Sequence, residues 1–546
     1  MYSKSSNFAP FFKCLTILIV LVLMKKIFFL AALGLSLMAQ AVELNYYKTL
    51  VDEQADATKG QTKVCALEYA ADGSLYILSD YQTVSAEETG MIFENKSYPG
   101  ATASKWGSKA GEYKYTNMRN SFFAKLDAEG NLLWAKADTT GDYDVANTAL
   151  AATADGGVIY ADKFRTRKAV YMGFINVYDK AGQLIGSNSM SFTNYDSIEV
   201  DGKKVFRKEA FNWAGVTMDA DSFVYLTGVQ TDTLLPVWND SLAPRKAWTE
   251  KSGGINTSKG NTFVLKYKLQ PGQWPDLAYT KGVINSDSLD YDRPLGMHLE
   301  NGKLYIAGTY GVGTEKGIYA ACYNTNLERE YIQYHPINGS LQFQQTKFAD
   351  GKIFVCGGLA KNGSITTGDK VIPASTTAAN SGMVYIMNQA DGTALDAAVN
   401  VPEANPLNIT VAAYPTDSGY VAYNHETLNG IQMALHYDKN LNLVSIDTIG
   451  QGGGSSNVSA VGHSVEKGKT AIGLRISTKS DYTLLTEEPM NYTTTNWYSV
   501  VAVINTKDEP VEAIEDVTTN GKAVKFIQNG QLYVRHNGKT YNVLGL

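Results

Sequence analysis

Beyond residue 42 the chain alternates apolar and polar positions in short runs broken by Gly, Asn and Asp. Runs of period two predict half-buried β-strands, because successive side chains leave a strand on opposite faces. Two patterns take turns. The first is an apolar strand, a tight turn and a second strand often ending on Gly, as in Cys65–Leu78 with Asp72-Gly73 at the turn. It recurs at 149–160, 215–228, 295–308, 345–358, 411–423 and 459–474. Asp155-Gly156, Asp350-Gly351 and Asn301-Gly302 mark further hairpins, since these residue types tolerate the positive φ that tight hairpin turns demand.

The second pattern is an alternating strand, a turn and another strand, fullest at Phe122–Lys136. Shorter copies stand at 174–185, 263–268, 318–326, 383–394, 433–443 and 499–506. The two patterns strictly alternate, with seven copies of each. Four short antiparallel strands per unit, repeated in this way, predict an all-β fold: a seven-bladed β-propeller of four-stranded blades. Leu44–Leu50 reads like Leu132–Lys136, the last strand of a unit, while the 499–506 strand has no partner after it. Residues 43–50 are therefore expected to supply the outer strand of the seventh blade, closing the ring and removing an exposed edge.

Both ends of the chain read differently from its interior. Met24-Lys25-Lys26 is a basic start, Ile27–Met38 a short apolar run, and Ala39-Gln40-Ala41 a small-x-small cleavage site. Residues 1–41 are thus expected to be a signal peptide, with Met24 as an alternative start, and 42–510 the propeller. Lys25 and Lys26 split two apolar runs that are each shorter than the roughly 20 residues a membrane span needs. No Cys follows the apolar run, which argues against a lipoprotein. Residues 511–546 form a small β appendage: 523–527, 531–534 and 539–542 read as strands joined by Asn529-Gly530 and Asn537-Gly538.

Composition narrows the class. With 48 Lys+Arg against 54 Asp+Glu the 546-residue chain carries a net charge of −6, and cleavage would remove four Lys and no acid. A strongly basic nucleic-acid binder is excluded as the default. A charged fraction of 19% beside 44% apolar residues excludes disorder and coiled coil. Cys65, Cys322 and Cys356 follow the leader, an odd number in apolar runs, so they are expected as buried free thiols rather than a disulfide framework.

The segment Phe122–Trp134, followed by Gly141-Asp-Tyr-Asp144 and Ala154–Tyr160, resembles the exported bacterial β-propeller repeat proteins of SBBP type. The likeness is good over 120–165, partial over 263–308 and faint elsewhere. It implies a fold and an exported location but no reaction. The last residues resemble the carboxy-terminal tails of Bacteroidales secreted proteins, which implies a type IX sorting module and an outer-membrane, cell-surface or secreted destination.

Loop lengths point to a functional face. The turns between first and second, and third and fourth, strands of each unit are tight. The connections between second and third strands are long at 80–120, 229–261, 359–381 and 475–498. Rigid scaffolds present function on such loops. They carry Phe93, Tyr98, Trp106, Tyr113, Tyr115, Trp238, Trp248, Tyr482, Tyr492 and Trp497. Trp106, Tyr113, Trp238, Trp248 and Trp497 are the candidate anchors for a glycan or protein ligand, the other reading being loop-to-loop packing.

Chemistry is sparse. No His-Glu-x-x-His, Cys-x-x-Cys, Gly-x-Ser-x-Gly or phosphate loop occurs. Asp142 with Asp144, and Asp290 with Asp292, are carboxylate pairs of the kind glycoside hydrolysis needs, although recurrence at one repeat position suits turn caps or loop ties better. Asp287, Asp290 and Asp292 offer oxygen ligands for Ca²⁺, the one cofactor considered. Arg165, Arg167 and Lys168 form a basic stretch that suits a solvated face or an anion contact. The expectation is a surface or secreted binding protein, with a propeller-fold polysaccharide hydrolase or lyase as the alternative.

Overall fold

The computed structural model describes residues 42–505, apart from 53–60, 84–89, 100–117, 144–148, 166–170, 193–197, 201–202, 206–210, 231–233, 238–239, 243–259, 286–290, 313–314, 401–407, 427–429, 453–455, 465–467, 478–480, 486, 491 and 493–496. It also describes 524–528, 531–536 and 539–542. The leader reading at 1–41 lies outside these residues. Two compact units emerge, Val42–Lys507 and a second comprising Met1–Ala41 with Asp508–Leu546. Within the second, β-strands Val524–Gln528, Gln531–His536 and Lys539–Asn542 pair into an antiparallel sheet. Among the described residues there is no helix, and none long and apolar enough to cross a membrane.

The larger unit begins with β1 (Glu43–Asp52). A first antiparallel set follows: β2 (Gln61–Tyr69), β3 (Leu75–Thr83), then β6 (Met118–Leu126) and β7 (Leu132–Tyr143), with a small hairpin β4 (Gly90–Phe93) and β5 (Lys96–Pro99) inserted after β3. The second set is β8 (Ala149–Ala152), β9 (Val158–Arg165), β10 (Tyr171–Tyr178) and β11 (Leu184–Phe192). A separate hairpin, β12 (Ile198–Val200) and β13 (Lys203–Val205), leads to the third set. That set is β14 (Phe211–Met218), β15 (Phe223–Gln230), β18 (Asn261–Leu269) and β19 (Leu277–Ile284), with β16 (Leu234–Val237) and β17 (Asp240–Leu242) inserted.

The fourth set is β20 (Asp292–Glu300), β21 (Lys303–Val312), β22 (Glu315–Asn324) and β23 (Arg329–Asn338). The fifth is β24 (Leu341–Ala349), β25 (Lys352–Ala360), β28 (Asn380–Asn388) and β29 (Ala394–Asn400), with β26 (Ser364–Thr367) and β27 (Lys370–Pro373) inserted. The sixth is β30 (Asn408–Pro415), β31 (Gly419–Glu426), β32 (Ile431–Asp438) and β33 (Leu443–Gly452). The last comprises β34 (Asn457–Ser464), β35 (Lys469–Ser477), with β36 (Tyr482–Leu484) inserted, and β37 (Trp497–Asn505). β37 pairs antiparallel with β1, from Glu43↔Asn505 to Leu50↔Ser499, so the amino-terminal strand is the fourth member of the last set.

Four of the sets lean on the next through side chains that cross to its turn carbonyls. Tyr76 Oη donates to Gly156 O at 2.6 Å and Lys125 Nζ to the same oxygen at 2.8 Å. Lys266 Nζ donates to Thr325 O at 2.8 Å, and Tyr331 Oη to Gln389 O at 2.7 Å. Lys469 Nζ, in the last set, donates to Ala128 O of the first at 2.9 Å. The core sits between sets. Ile159, Ile175, Val224, Leu226, Phe263 and Leu265 are fully or almost fully buried across the second and third. Cys322 and Cys356 are buried and Cys65 half-buried, all as free thiols.

Six of the inner strands share an irregularity. A register shift follows Val64 in β2, Trp213 in β14, Pro294 in β20, Phe343 in β24, Thr410 in β30 and Val458 in β34. Each inserts one residue into an antiparallel pair, which bends the strand and re-aims the side chains after it.

Candidate functional site

The inserted strands decide where the long connections go. β4 pairs with β1, β16 with β11, β26 with β23 and β36 with β33. In each case the partner is the outermost strand of the preceding set. The described parts of the long connections therefore run along a neighbour's edge instead of standing free. The physical reason is the row of unpaired N–H and C=O groups that an outer strand presents and that a short added strand satisfies.

Their aromatic residues follow that geometry. Phe93 and Tyr98 are buried, and both pack on Phe122, with ring centroids 5.2 and 5.0 Å away. Tyr482 is fully buried, and its hydroxyl donates to Gln432 Oε1 at 2.5 Å. These take the loop-packing role. Trp497 is not on a loop: it opens β37, half-buried, with the Arg475 guanidinium 4.4 Å from its ring. Trp106, Tyr113, Tyr115, Trp238 and Trp248 lie outside the described residues.

The acidic candidates divide in the same way. Asp144, Asp287 and Asp290 lie outside the described residues, as do Arg167, Lys168 and the side chains of Asp142 and Arg165. Asp292 is buried, and both its carboxylate oxygens accept hydrogen bonds: Oδ1 from Thr262 N at 3.1 Å, Oδ2 from Asn285 Nδ2 at 2.8 Å. Burial raises its pKa, and these donors oppose the rise. Asp292 is thus a tie between the third and fourth sets. Among the described residues no group of three or more His, Cys, Asp or Glu is arranged to hold a metal ion. Asp127 and Asp438 cap turns, each accepting from a backbone N–H two residues on and another four residues on.

A different cluster forms where the inner strands end. Glu68, His298, Lys347 and Tyr414 occupy the same place after their strands' bulges, which are centred on Cys65, Leu295, Gln344 and Val411. His463 stands near the end of β34. Lys347 Nζ reaches past the sixth set to donate to Val461 O at 2.7 Å, with the Tyr414 ring centroid 5.9 Å from the ammonium. Tyr414 stacks on the His463 ring at 4.3 Å, and its hydroxyl donates to Val461 O at 3.3 Å. His463 Nδ1 hydrogen-bonds Thr470 Oγ1 at 2.8 Å. His298 stacks on Phe348 at 5.6 Å.

Protein surrounds Glu68 and Lys347 in depth, yet both side chains remain partly open to water. Burial pushes the Glu68 carboxyl up to about 7, with the Lys347 charge pulling the other way. Burial lowers the Lys347 ammonium, and Glu68 and then Cys356 oppose that. His463 is held down at about 4 by burial and then by the Lys347 charge, so its imidazole is neutral at pH 7. The cluster holds one carboxylate, one ammonium, a neutral imidazole and a phenol, contributed by the first, fifth, sixth and last sets.

His463 also lines a cleft of about 520 Å³. Its other walls come from tight turns: Asp350 and Lys352 of the fifth set, Thr416, Asp417 and Tyr420 of the sixth with Lys439, and Gly468 of the last. Lys352 Nζ is 2.8 Å from Asp350 Oδ2. The cleft therefore opens on the tight-turn side, which the loop lengths do not favour. Neither the cluster nor the cleft was legible as a motif, because its residues are scattered along the chain. A small residue directly after the bulge, as at Ala66, Gly215, Gly296 and Ala412, is the one recurring signal near them.

No protein-family model and no curated protein matches this chain. Solved structures match at low similarity. The β-propeller domain of the Trilobed protease from Pyrococcus furiosus is 9% identical, with a TM-score of 0.39, over 79% of this chain and 97% of that one. The polysaccharide lyase Uly1 is 10% identical, with a TM-score of 0.37, over 85% and 100%. A subtype N10 neuraminidase-like protein of A/little yellow-shouldered bat/Guatemala is 6% identical, with a TM-score of 0.30, over 85% and 99%. Likenesses this distant assign neither activity nor ligand.

Proposed function

We propose that the chain is an exported seven-bladed β-propeller that binds a ligand in the cleft on its tight-turn side. The sets are its blades, and β1, paired with β37, closes the ring. The observation that carries the binding reading is convergence: Lys347, Tyr414 and His463 come from three inner strands to one place, joined by ring and hydrogen-bond contacts, and His463 lines the cleft. Charged side chains are rarely held so deep without a partner or a task. Export rests on the Met24–Ala41 pattern, and mass spectrometry of protein from the native host is expected to find Val42 as its first residue. The carboxy-terminal sheet is the candidate sorting module for the cell surface.

A glycan and protein array probed with the mature chain, with and without Ca²⁺, tests the reading. Tyr420→Ala and Lys439→Ala are expected to abolish the signal that the wild type gives. A ligand lost instead on Trp106→Ala or Trp248→Ala would move the site to the long connections. The Ca²⁺ arm tests a cation at Asp287, Asp290 and Asp292. The enzymatic alternative rests on Glu68, whose carboxyl burial raises to about 7, and on the neutral His463, both acted on by the Lys347 charge: a candidate acid and a candidate base. Loss of polymer viscosity during incubation, abolished by Glu68→Gln, would establish it.

A further inference from the structure

Resting on the cleft reading, we infer that the bound ligand is an uncharged saccharide, with one sugar ring stacked on Tyr420 and one hydroxyl oxygen accepting a hydrogen bond from His463 Nε2. The hydrogen on that nitrogen follows from the bonds around Thr470. Tyr423 Oη donates to Thr470 Oγ1 at 3.1 Å, which leaves the Thr470 hydroxyl its own hydrogen to give. His463 Nδ1, 2.8 Å away, is the acceptor for it. Nδ1 is therefore bare, and Nε2 carries the hydrogen of the neutral ring. Nε2 makes no hydrogen bond among the described residues and is not buried, so it is a donor available to the cleft that His463 lines. The Tyr414 ring, stacked at 4.3 Å, holds the imidazole plane.

The rest of the lining suits a sugar. Tyr420 is set edge-on against the buried Phe354 at 5.8 Å, which fixes a flat apolar surface for the C–H face of a pyranose. Asp417 stands on the turn that leads into β31, and Lys439 on the turn that leaves β32. Neither side chain forms an ion pair or hydrogen bond among the described residues. A carboxylate and an ammonium are thus left for neighbouring hydroxyls, one to accept and one to donate. Asp350 and Lys352 are already joined at 2.8 Å. Among the described residues, two carboxylates and two ammoniums line the cleft beside a neutral imidazole, a balance that leaves no net charge to select an ionic ligand. At about 520 Å³ the cleft has the size of an ordinary small-ligand pocket.

Calorimetric titration of the mature chain with cellotetraose, mannotetraose and galactotetraose, beside tetragalacturonate and zwitterionic tetraglycine, tests this. At least one neutral sugar is expected to bind about tenfold more tightly than either charged probe, and its affinity should hold as salt is raised. Tyr420→Ala should weaken that binding by at least about tenfold. His463→Phe keeps a ring and loses the N–H, and should weaken it by about tenfold, while His463→Gln keeps an N–H and should restore part of the loss. Asp417→Asn removes a charge but keeps hydrogen-bonding atoms, and should change affinity by less than about threefold. Melting curves establish that each variant is folded, and Asp417→Asn, an exposed turn change, keeps the test decisive if His463→Phe is not. Tighter binding of a charged probe, lost on Tyr420→Ala, would overturn the neutral assignment and leave the cleft reading standing. Neutral binding that a folded His463→Phe leaves unchanged would overturn the donor role. Absence of any binding that depends on Tyr420 would overturn this inference and the cleft reading together.

Discussion

The ring of Tyr46 lies across Gly130: a β-carbon placed on that glycine would stand 2.8 Å from two ring carbons. Trp134 covers Gly182 in the same way, with a β-carbon there 2.9 Å from the indole. Both glycines hold positive φ, 88° and 78°, in the outer turn of the following set. Tyr46, on the amino-terminal strand, thus does for the first set what Trp134 does for the second.

That equivalence makes a prediction. Gly130→Ala forces an unfavourable φ and a collision with Tyr46, so it is expected to cost at least ~2 kcal/mol in urea unfolding. Tyr46→Ala should cost a similar amount, and Tyr46→Trp should be tolerated, since an indole already fills the matching position. A Gly130→Ala variant as stable as the wild type would contradict the packing.

Deleting residues 42–52 removes β1 and with it the pairing to β37 and the edge for β4. The melting temperature is expected to fall sharply, far beyond what a frayed terminus contributes. Hydrogen exchange should quicken in β37 and in β4 together. An unchanged melting temperature counts against a structural role for the pairing of β1 with β37.

The inserted hairpins are expected to behave as structure. Phe93→Ala empties a fully buried site against Phe122 and should cost about 3 kcal/mol. Ligand affinity, measured on the folded fraction, should not change. Trp497→Ala, which loses only a half-buried ring under Arg475, should cost about 1 kcal/mol by the same denaturation assay.

Glu68 sets a pH dependence whose sign follows from its raised pKa. The folded protein binds a proton more tightly than the unfolded chain, whose ordinary carboxyl titrates near 4.5. Stability from this group is complete below that value and is lost as pH rises towards about 7. Glu68→Gln keeps it. The variant is expected to match the wild type at pH 4 and to exceed it by on the order of 2 kcal/mol at pH 8, a figure already reduced for the water that reaches the group. His463, depressed to about 4, works in the opposite direction in both proteins and cancels in the difference. Equal stabilities at pH 8 would refute the shift.

Strands were the most legible part of the fold. Runs such as Phe122–Leu126 alternate cleanly, and Asp72-Gly73, Asn301-Gly302 and Asp350-Gly351 fall at turns in which each glycine holds positive φ. The resemblance of 44–50 to 132–136 carried real information, since Tyr46 and Trp134 share a task. The inserted strands were not legible: β36 spans Tyr482–Leu484, too short for a period to show. Their loop length suggested free projections, whereas edge satisfaction decided their course. The cluster was hidden for another reason. Glu68 and Lys347 each stand three residues after a bulge, on strands of different sets, and a bulge carries no residue signature strong enough to read.

The pairing of β1 with β37 also orders events in time. Glu43 and Asn505, joined at one end of that ladder, are 462 residues apart. β1, the first strand of the larger unit, must wait for β37 before its long edge is satisfied. Until then it has only the short β4 to hold, and closing so long a loop is slow. A contact that spans so much of the unit forms late, so the edge of β1 stays open while the sets between the two strands are still assembling.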